Sequence, residues 1–596
     1  MRNNRKTEEK KMSMNKNIAR LAVTAGLTAA LSFGGVMAPV TMAFAEGAPT
    51  AAQSGNVTIN DSTYKDTTFK GIQIFKATVT QDKKSDGSWD KLGDKTLSDI
   101  EWAGGENVSV KNAVIHAFDD VAADSKPTGL PTGDSAQAWA EFINKHGSEV
   151  VGNNVNAGSV LDMIARALET QTWTDAESGT VGTFENIDAG YWLFETKSVG
   201  KTTGADGNED AYTSPIFTIV GGADVAAEPK KDVPNVTKAV KDDKDGKFVT
   251  DDGENVFTAA NKAADSAAEQ LVEYQLAGTV ASNINTYDKY GYTFTDNLPS
   301  TMLPELQDAK PVVEVKIGET DVNSNCYKAT YDASKNTLTV CFENLKDAKD
   351  VNGNPIAVDG NSKVYVNYKA KLNASKITQD MLGKAQTNTV KLTYSNNPHT
   401  NGTGNTVVHP AYDYTYGIDV TKVGSDKDDT GKPKTLEGVQ FTLQEKDSDK
   451  FIKADGTTTS NKDDAILTTD NNGKINVVGL DEGTYVLTEV TPAPGYNNSA
   501  ASGVTFIIAS DSLPTNGDSF TPSCTLANGT DGNLVQVINA TDGKVHLTVT
   551  DQKGSGLPLT GLNGVTFTWI AGGAVLCIGV AHLIRSRKQA EESEQE

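Results

Sequence analysis

Sulfur and imidazole are scarce in this 596-residue chain, which carries only four cysteines and six histidines. Cys577 lies in an apolar run near the C-terminus and Cys524 has no obvious mate. No CxxC pair is present and the histidines show no metal-ligand spacing, so no metal site and no cofactor are expected. Cys326 and Cys341 flank YKATYDASKNTLTV, which reads as a β-hairpin turning at Ala333 to Asn336. Facing each other across two strands, they are a candidate disulfide pair in an oxidising exterior. Positive charge is also short: the formal net charge is -24, with no basic patch interleaved with aromatics and no glycine-rich phosphate loop before a helix, which excludes nucleic acid as a partner. No nucleophile, histidine and acid constellation is visible, so the chain is not expected to be an enzyme. Long periodic helices are rare. Threonine, asparagine, valine and glycine abound instead, which favours antiparallel β-sandwiches, and at roughly 150 residues per domain the length suggests about three or four of them.

Both ends carry export signals. The basic residues Arg2, Arg5, Lys6, Lys10, Lys11, Lys16 and Arg20 precede LAVTAGLTAALSFGGVMAPVTM and the small-x-small site Ala43-Phe44-Ala45, so 1–45 reads as a secretory signal peptide and the mature chain starts at Glu46. At the other end GVTFTWIAGGAVLCIGVAHLI, residues 564–584, is long enough to cross a bilayer of about 30 Å. Arg585, Arg587 and Lys588 follow, so the 585–596 tail stays cytoplasmic and everything before the span lies outside.

Between these ends the chain divides into three. Residues 46–229 begin with the strand-like TTFKGIQIFKATV and end with FENIDAGYWLFETKSVG and SPIFTIVGG. In between, SAQAWAEFINKHGSEVV and AGSVLDMIARALETQTW have the spacing of amphipathic helices, so a β-sandwich with a helical insertion is expected. The joint AAEPKKDVPNVTKAV, stiffened by Pro229 and Pro234 and solvated by lysines, marks a boundary. Residues 230–411 contain LVEYQLAGTV, YGYTFTDNLP, KVYVNYKAKL and TNTVKLTYSN, all half-buried strands. Residues 412–553 contain YGIDVTKVG, LEGVQFTLQE, GKINVVGLDEGTYVLTEVTPAPGY and VHLTVTDQKG, another sandwich. DKDDTGKPKTLE, Asp426 to Glu437, has oxygen-bearing residues near EF-hand positions, but Pro433 and the lack of flanking helices make it a solvated hairpin loop.

LPLTG (Leu557, Pro558, Leu559, Thr560, Gly561), an apolar span and a basic tail together resemble the cell-wall sorting signal of Gram-positive surface proteins. LEGVQFTL and LDEGTYVLTEVTPAPGY resemble the Cna protein B-type domain, and the whole chain resembles the backbone pilins of sortase-assembled pili. The resemblance implies tandem immunoglobulin-like, Cna-type sandwiches. It also implies a sortase cysteine that attacks the Thr560 carbonyl and releases Gly561 onward, anchorage to peptidoglycan by a housekeeping sortase, and polymerisation with identical subunits head to tail by a pilin-class sortase. Minor or tip pilins and host ligands would be further partners. In such domains a strand lysine forms an isopeptide bond with an asparagine or aspartate of the last strand, promoted by a carboxylic acid. Carried over, Lys422 is the lysine, Glu489 the acid and Asp551 the acceptor of the third segment. In the second, Lys238 is the nucleophile, Asp296 the acid and Asn388 the acceptor, with Asn396 as the alternative. Glu195 in GYWLFET matches the acid in the first segment, but SPIFTIV offers no acceptor, so no internal bond is expected there. Lys230 in AEPKKDVP matches the lysine that accepts the next subunit's threonyl group, with Lys231 as its rival. Both internal bonds require burial, which lowers a lysine's pKa and raises a carboxyl's.

Overall fold

Alternation of inward and outward side chains organises many of the strands, such as Tyr292–Asn297, Lys363–Leu372 and Lys544–Asp551, because successive residues of a strand point to opposite faces. The computed structural model describes residues 50–554 except 105–107, 148–149, 152–153, 178–181, 201–206, 245, 251–252, 254 and 540–541. The expected signal peptide, sorting motif and membrane span lie outside these residues; among the described ones, no helix is long and apolar enough to cross a membrane. The fold is mainly β, with helices confined largely to the N-terminal part.

That part contains strands β1 (Ser54–Ile59) and β2 (Thr68–Gln81), helices α1 (Ser109–His116), α2 (Ala136–His146) and α3 (Val160–Leu168), then β3 (Thr183–Asp188), β4 (Gly190–Ser198), β5 (Ile216–Val220) and β6 (Val225–Ala227). β2, β4 and β5 are neighbours in one sheet, and β6, β1 and β3 form a second. Ser135 and Ser159 cap α2 and α3 by accepting the N–H groups of Ala138 and Asp162, satisfying donors a helix start leaves free. β4 is buried on both faces, which explains its unbroken apolar run. Tyr191 and Leu193 pack with Trp139, Ile164 and Leu168 of the helices, while Trp192 and Phe194 pack with Val57 and Phe184 of the second sheet.

The middle part contains β7 (Val236–Lys241), β8 (Leu271–Thr279), β9 (Tyr292–Asn297), β10 (Val313–Ile317), β11 (Lys328–Asp332), β12 (Thr337–Phe342), β13 (Lys363–Leu372), β14 (Gln386–Ser395) and β15 (His409–Tyr414). One sheet runs β7-β8-β13-β10 and the other β15-β14-β9-β12-β11, closing on a core that includes Tyr274, Phe294, Val366 and Leu392. The expected hairpin is β11 and β12. The candidate disulfide is not formed: Cys326 and Cys341 are free thiols. The register pairs Lys328 with Cys341, so Cys326 falls two residues beyond the ladder, in a 3₁₀ turn with its thiol toward the Asp347 carbonyl. Cys341 instead lies beside the Thr293 hydroxyl at 3.2 Å.

The C-terminal part contains β16 (Tyr416–Lys427), β17 (Gln440–Glu445), β18 (Lys474–Leu480), β19 (Gly483–Thr491), β20 (Val504–Ala509), β21 (Val535–Asn539) and β22 (Lys544–Asp551). β18, β16, β22 and β21 lie in one sheet, and β17, β19 and β20 in the opposing one. The first and last strands, β16 and β22, are parallel neighbours. The EF-hand-like stretch is a hairpin turn, with Asp428 N–H bonded to Lys432 O and Lys427 paired with Pro433.

Candidate functional site: two buried lysine centres

On β16 the inward positions run Ile418, Val420, Lys422, and on β22 they run Val545, Leu547, Val549, Asp551. Each strand thus places one charged residue on its apolar face. Lys422 is in register with Val549, and Asp551 with Gly424, which leaves the two side chains diagonal neighbours on adjacent strands. Glu489 continues the inward series Tyr485, Leu487 of β19 in the facing sheet. Lys422 Nζ lies 2.5 Å from Asp551 Oδ1 and 3.0 Å from Glu489 Oε2, and all three side chains are fully buried. The Ser499 N–H donates to the same Asp551 oxygen at 3.2 Å. Glu489 Oε1 and Asp551 Oδ2 have no hydrogen-bond partner. Burial raises the Glu489 carboxyl to about 7, with the Asp551 charge adding to it and Lys422 opposing it.

In the middle part the three roles divide differently between the sheets. Lys238 stands on β7 of one sheet, and Asp296 on β9 and Asn388 on β14 stand on adjacent strands of the other. Lys238 Nζ donates to Asp296 Oδ2 and, at 2.9 Å, to the Tyr368 hydroxyl. Tyr368 donates to Asp296 Oδ1 at 3.1 Å and accepts from Asn388 Nδ2 at 2.8 Å. One phenol therefore ties lysine, acid and carboxamide together. Lys238, Asp296 and Asn388 are completely buried, and Asn388 Oδ1 has no partner. Burial lowers the Lys238 amine to about 8 against the pull of Asp296, and raises the Asp296 carboxyl against that of Lys238. Asn396 is elsewhere: its Nδ2 donates to the Asp210 carbonyl of the N-terminal part at 3.1 Å.

Tyr368 was missed by sequence reasoning. The signal available was its inward position in KVYVNYKAKL beside Val364 and Val366, a pattern equally satisfied by a core tyrosine. In both centres a lysine amine, a carboxyl and an acyl group meet without solvent. Burial favours the neutral amine at Lys238 and the protonated acid at Asp296 and Glu489, the forms that amide formation needs.

The N-terminal part repeats two of these three roles. Lys70 on β2 lies opposite Glu195 on β4, with Nζ 3.5 Å from Glu195 Oε2. β5, the neighbour of β4, carries no asparagine or aspartate.

At the joint, Lys230 and Lys231 differ sharply. Lys231 Nζ is clamped by Asp61 at 2.6 Å and Asp210 at 2.5 Å, with its side chain 7% exposed. No carboxylate among the described residues pairs with Lys230, whose amine pKa is lowered by burial.

Residues 421–519, within the C-terminal sandwich, match the family model of the SpaA prealbumin-like fold domain. No curated protein matches the chain. Among solved structures, the chain is similar to the T6 backbone pilin of serotype M6 Streptococcus pyogenes, at 14% identity over 84% of this chain and 98% of that one, with a TM-score of 0.45. It is similar to the full-length major pilin SpaD from Corynebacterium diphtheriae, at 17% identity over 84% and 98%, with a TM-score of 0.40. A further similarity is to BcpA, the major pilin subunit of Bacillus cereus, at 16% identity over 64% and 90%, with a TM-score of 0.36.

Proposed function

We propose that this chain is the structural backbone subunit of a covalently polymerised cell-surface pilus, built of three units at 46–229, 230–411 and 412–553 whose second and third lock themselves with internal amide bonds. The observation that carries this reading is the fully buried contact of Lys422 with Glu489 and Asp551 where the first and last strands of the third unit lie side by side. Within the Lys422–Asp551 pair a proton passes from nitrogen to the carboxylate, and the freed amine attacks Cγ of Asp551 while protonated Glu489 hydrogen-bonds and polarises the acyl oxygen. The C–N bond forms, the C–O bond breaks, and one water leaves with the protons passed through Glu489. At Lys238 the same steps, with Asp296 as acid and Tyr368 holding the carboxamide, release ammonia from Asn388. Each centre turns over once, so the protein is not an enzyme in the ordinary sense.

A bond between first and last strands carries tension through the sandwich without unfolding it, which suits a fibre. The external bonds would use the Thr560 carbonyl of one subunit and the Lys230 amine of the next, joined by a pilin-class sortase. This heterologous head-to-tail contact grows without closing. Lys230 is favoured over Lys231 because an acyl acceptor must be a free amine and the Lys231 ammonium is held between two carboxylates. A housekeeping sortase would attach the last subunit to peptidoglycan on a Gram-positive surface. Cell-wall extracts run in hot detergent test the reading: the parent gives a high-mass ladder, Lys230→Ala abolishes it, and Lys231→Ala retains it. A single band from the parent would replace the pilus with a monomeric wall-anchored adhesin.

A further inference from the structure

Where the N-terminal part meets the middle one, three side chains far apart in sequence converge. Glu195 is on β4, Glu169 follows α3, and His399 lies in the turn after β14. One potential ligand atom from each lies within 4.8 Å of the others. His399 Nδ1 is 3.3 Å from Glu169 Oε1 and 3.9 Å from Glu195 Oε1. Lys70 occupies the opposite edge of both carboxylates, 2.5 Å from Glu169 Oε2 and 3.5 Å from Glu195 Oε2. The two Oε1 atoms and Nδ1 face one another, Nδ1 and Glu169 Oε1 being hydrogen-bonded at 3.3 Å, a contact that a metal ion would replace. Glu195 is only 4% exposed, yet its Oε1 has no hydrogen-bond partner.

We propose that Glu169, Glu195 and His399 bind a zinc ion that pins the first sandwich to the second. Two ligands each about 2.0–2.1 Å from a tetrahedral zinc stand roughly 3.3 Å apart; the His399–Glu169 separation already has this value, while the Glu195 oxygen, 3.9 Å from Nδ1 and within 4.8 Å of the Glu169 oxygen, has to swing inward to join them. One imidazole and two carboxylates form a donor set that zinc accepts, with a water completing four-coordination. The second nitrogen of the ring is also provided for. His399 Nε2 faces Asp162 Oδ1 at 3.3 Å, and neither atom has a hydrogen-bond partner. Metal on Nδ1 fixes the proton on Nε2 and gives that carboxylate its donor. Asp162 is itself fixed by Arg166 Nε and the Gly158 N–H, each at 2.8 Å. Glu169, whose side chain is 35% exposed, supplies the way in. Because His399 comes from the middle part and both glutamates from the N-terminal one, bound metal bridges the joint that carries Lys230.

The test uses the purified full-length chain, stripped with chelator and dialysed against zinc chloride, with bound metal measured by elemental analysis and cobalt chloride as a spectroscopic substitute. The expected result is one zinc per chain, an intense visible spectrum of four-coordinate cobalt, and loss of both in Glu195→Gln and His399→Gln. Asp162→Asn should keep the site but weaken it roughly 10- to 100-fold. A parent chain that retains no zinc, a weak six-coordinate cobalt spectrum, or undiminished zinc in the two ligand variants overturns the proposal. The cobalt spectrum of the parent decides the matter even if a variant fails to fold.

Discussion

Replacing Glu489 by glutamine should separate the covalent bond of the third sandwich from the packing around it. The substitution keeps the size and polarity of the side chain but removes the proton that promotes attack. Lys422 and Asp551 would remain an ion pair, 2.5 Å apart in the described state, so the sandwich should still fold. What is lost is a cross-link closing a loop of about 130 residues. In the chain-entropy treatment this removes about 5 kcal/mol of stabilisation, and for a unit of this size the thermal midpoint should fall by roughly 15 °C. Intact-mass spectrometry of the mature ectodomain should show the variant heavier than the parent by one water, after allowance for the substitution. Scanning calorimetry should show one transition shifted downward and the others in place. A variant that still loses water would refute Glu489 as the promoting acid. Loss of the bond with an unmoved midpoint would refute the argument from chain entropy.

Other outcomes follow from the same geometry. Asp551→Asn should yield a mature protein of the same mass as the parent, because ammonia leaves in place of water and the product amide is identical; a difference in mass means the bond involves another acceptor. Tyr368→Phe removes the group that joins Lys238, Asp296 and Asn388, and should slow ammonia loss roughly a hundredfold, as removal of one positioned hydrogen-bond donor does elsewhere. An unchanged time course of intact mass would make Tyr368 a packing residue. Between the second and third sandwiches, burial raises the Asp265 carboxyl to about 7, and burial with repulsion from neighbouring carboxylates holds Asp413 and Asp481 well above the ordinary range. Folded-state values above the unfolded one mean a contribution fully present below about pH 4 and lost as pH rises through about 7. The thermal midpoint should therefore fall between about pH 5 and pH 8, and Asp265→Asn should flatten the fall; a midpoint that climbs over this range contradicts the assignment.

The site residues were legible in the sequence through the resemblance to isopeptide-forming domains, and the structure adds a physical reason in strand parity. Lys422, Glu489 and Asp551 each occupy an inward position in an otherwise apolar alternation, and a charged residue there requires a partner. Asp296 and Asn388 obey the same rule, whereas Lys238 stands in a strand buried at five consecutive positions, and the amphipathic stretches of the first segment became α2 and α3. Pattern alone failed where a decision depended on distance in space. Cys326 sits beyond the end of its ladder because a hairpin's outer residues need not remain paired. Tyr368 carries the parity of a core residue, and nothing local distinguishes a phenol that bridges three polar groups from one that merely packs. Glu169, Glu195 and His399 belong to three separated segments, so no spacing rule could join them before the two sandwiches were docked.

The central claim is that the two buried lysines end as amides, and intact-mass measurement of residues 46–556 tests it most directly. The account predicts a protein lighter than its encoded sequence by one water and one ammonia, with Lys422 linked to Asp551 and Lys238 to Asn388 in fragment spectra. An unmodified mass would contradict both bonds and leave two buried ion-pair centres in their place.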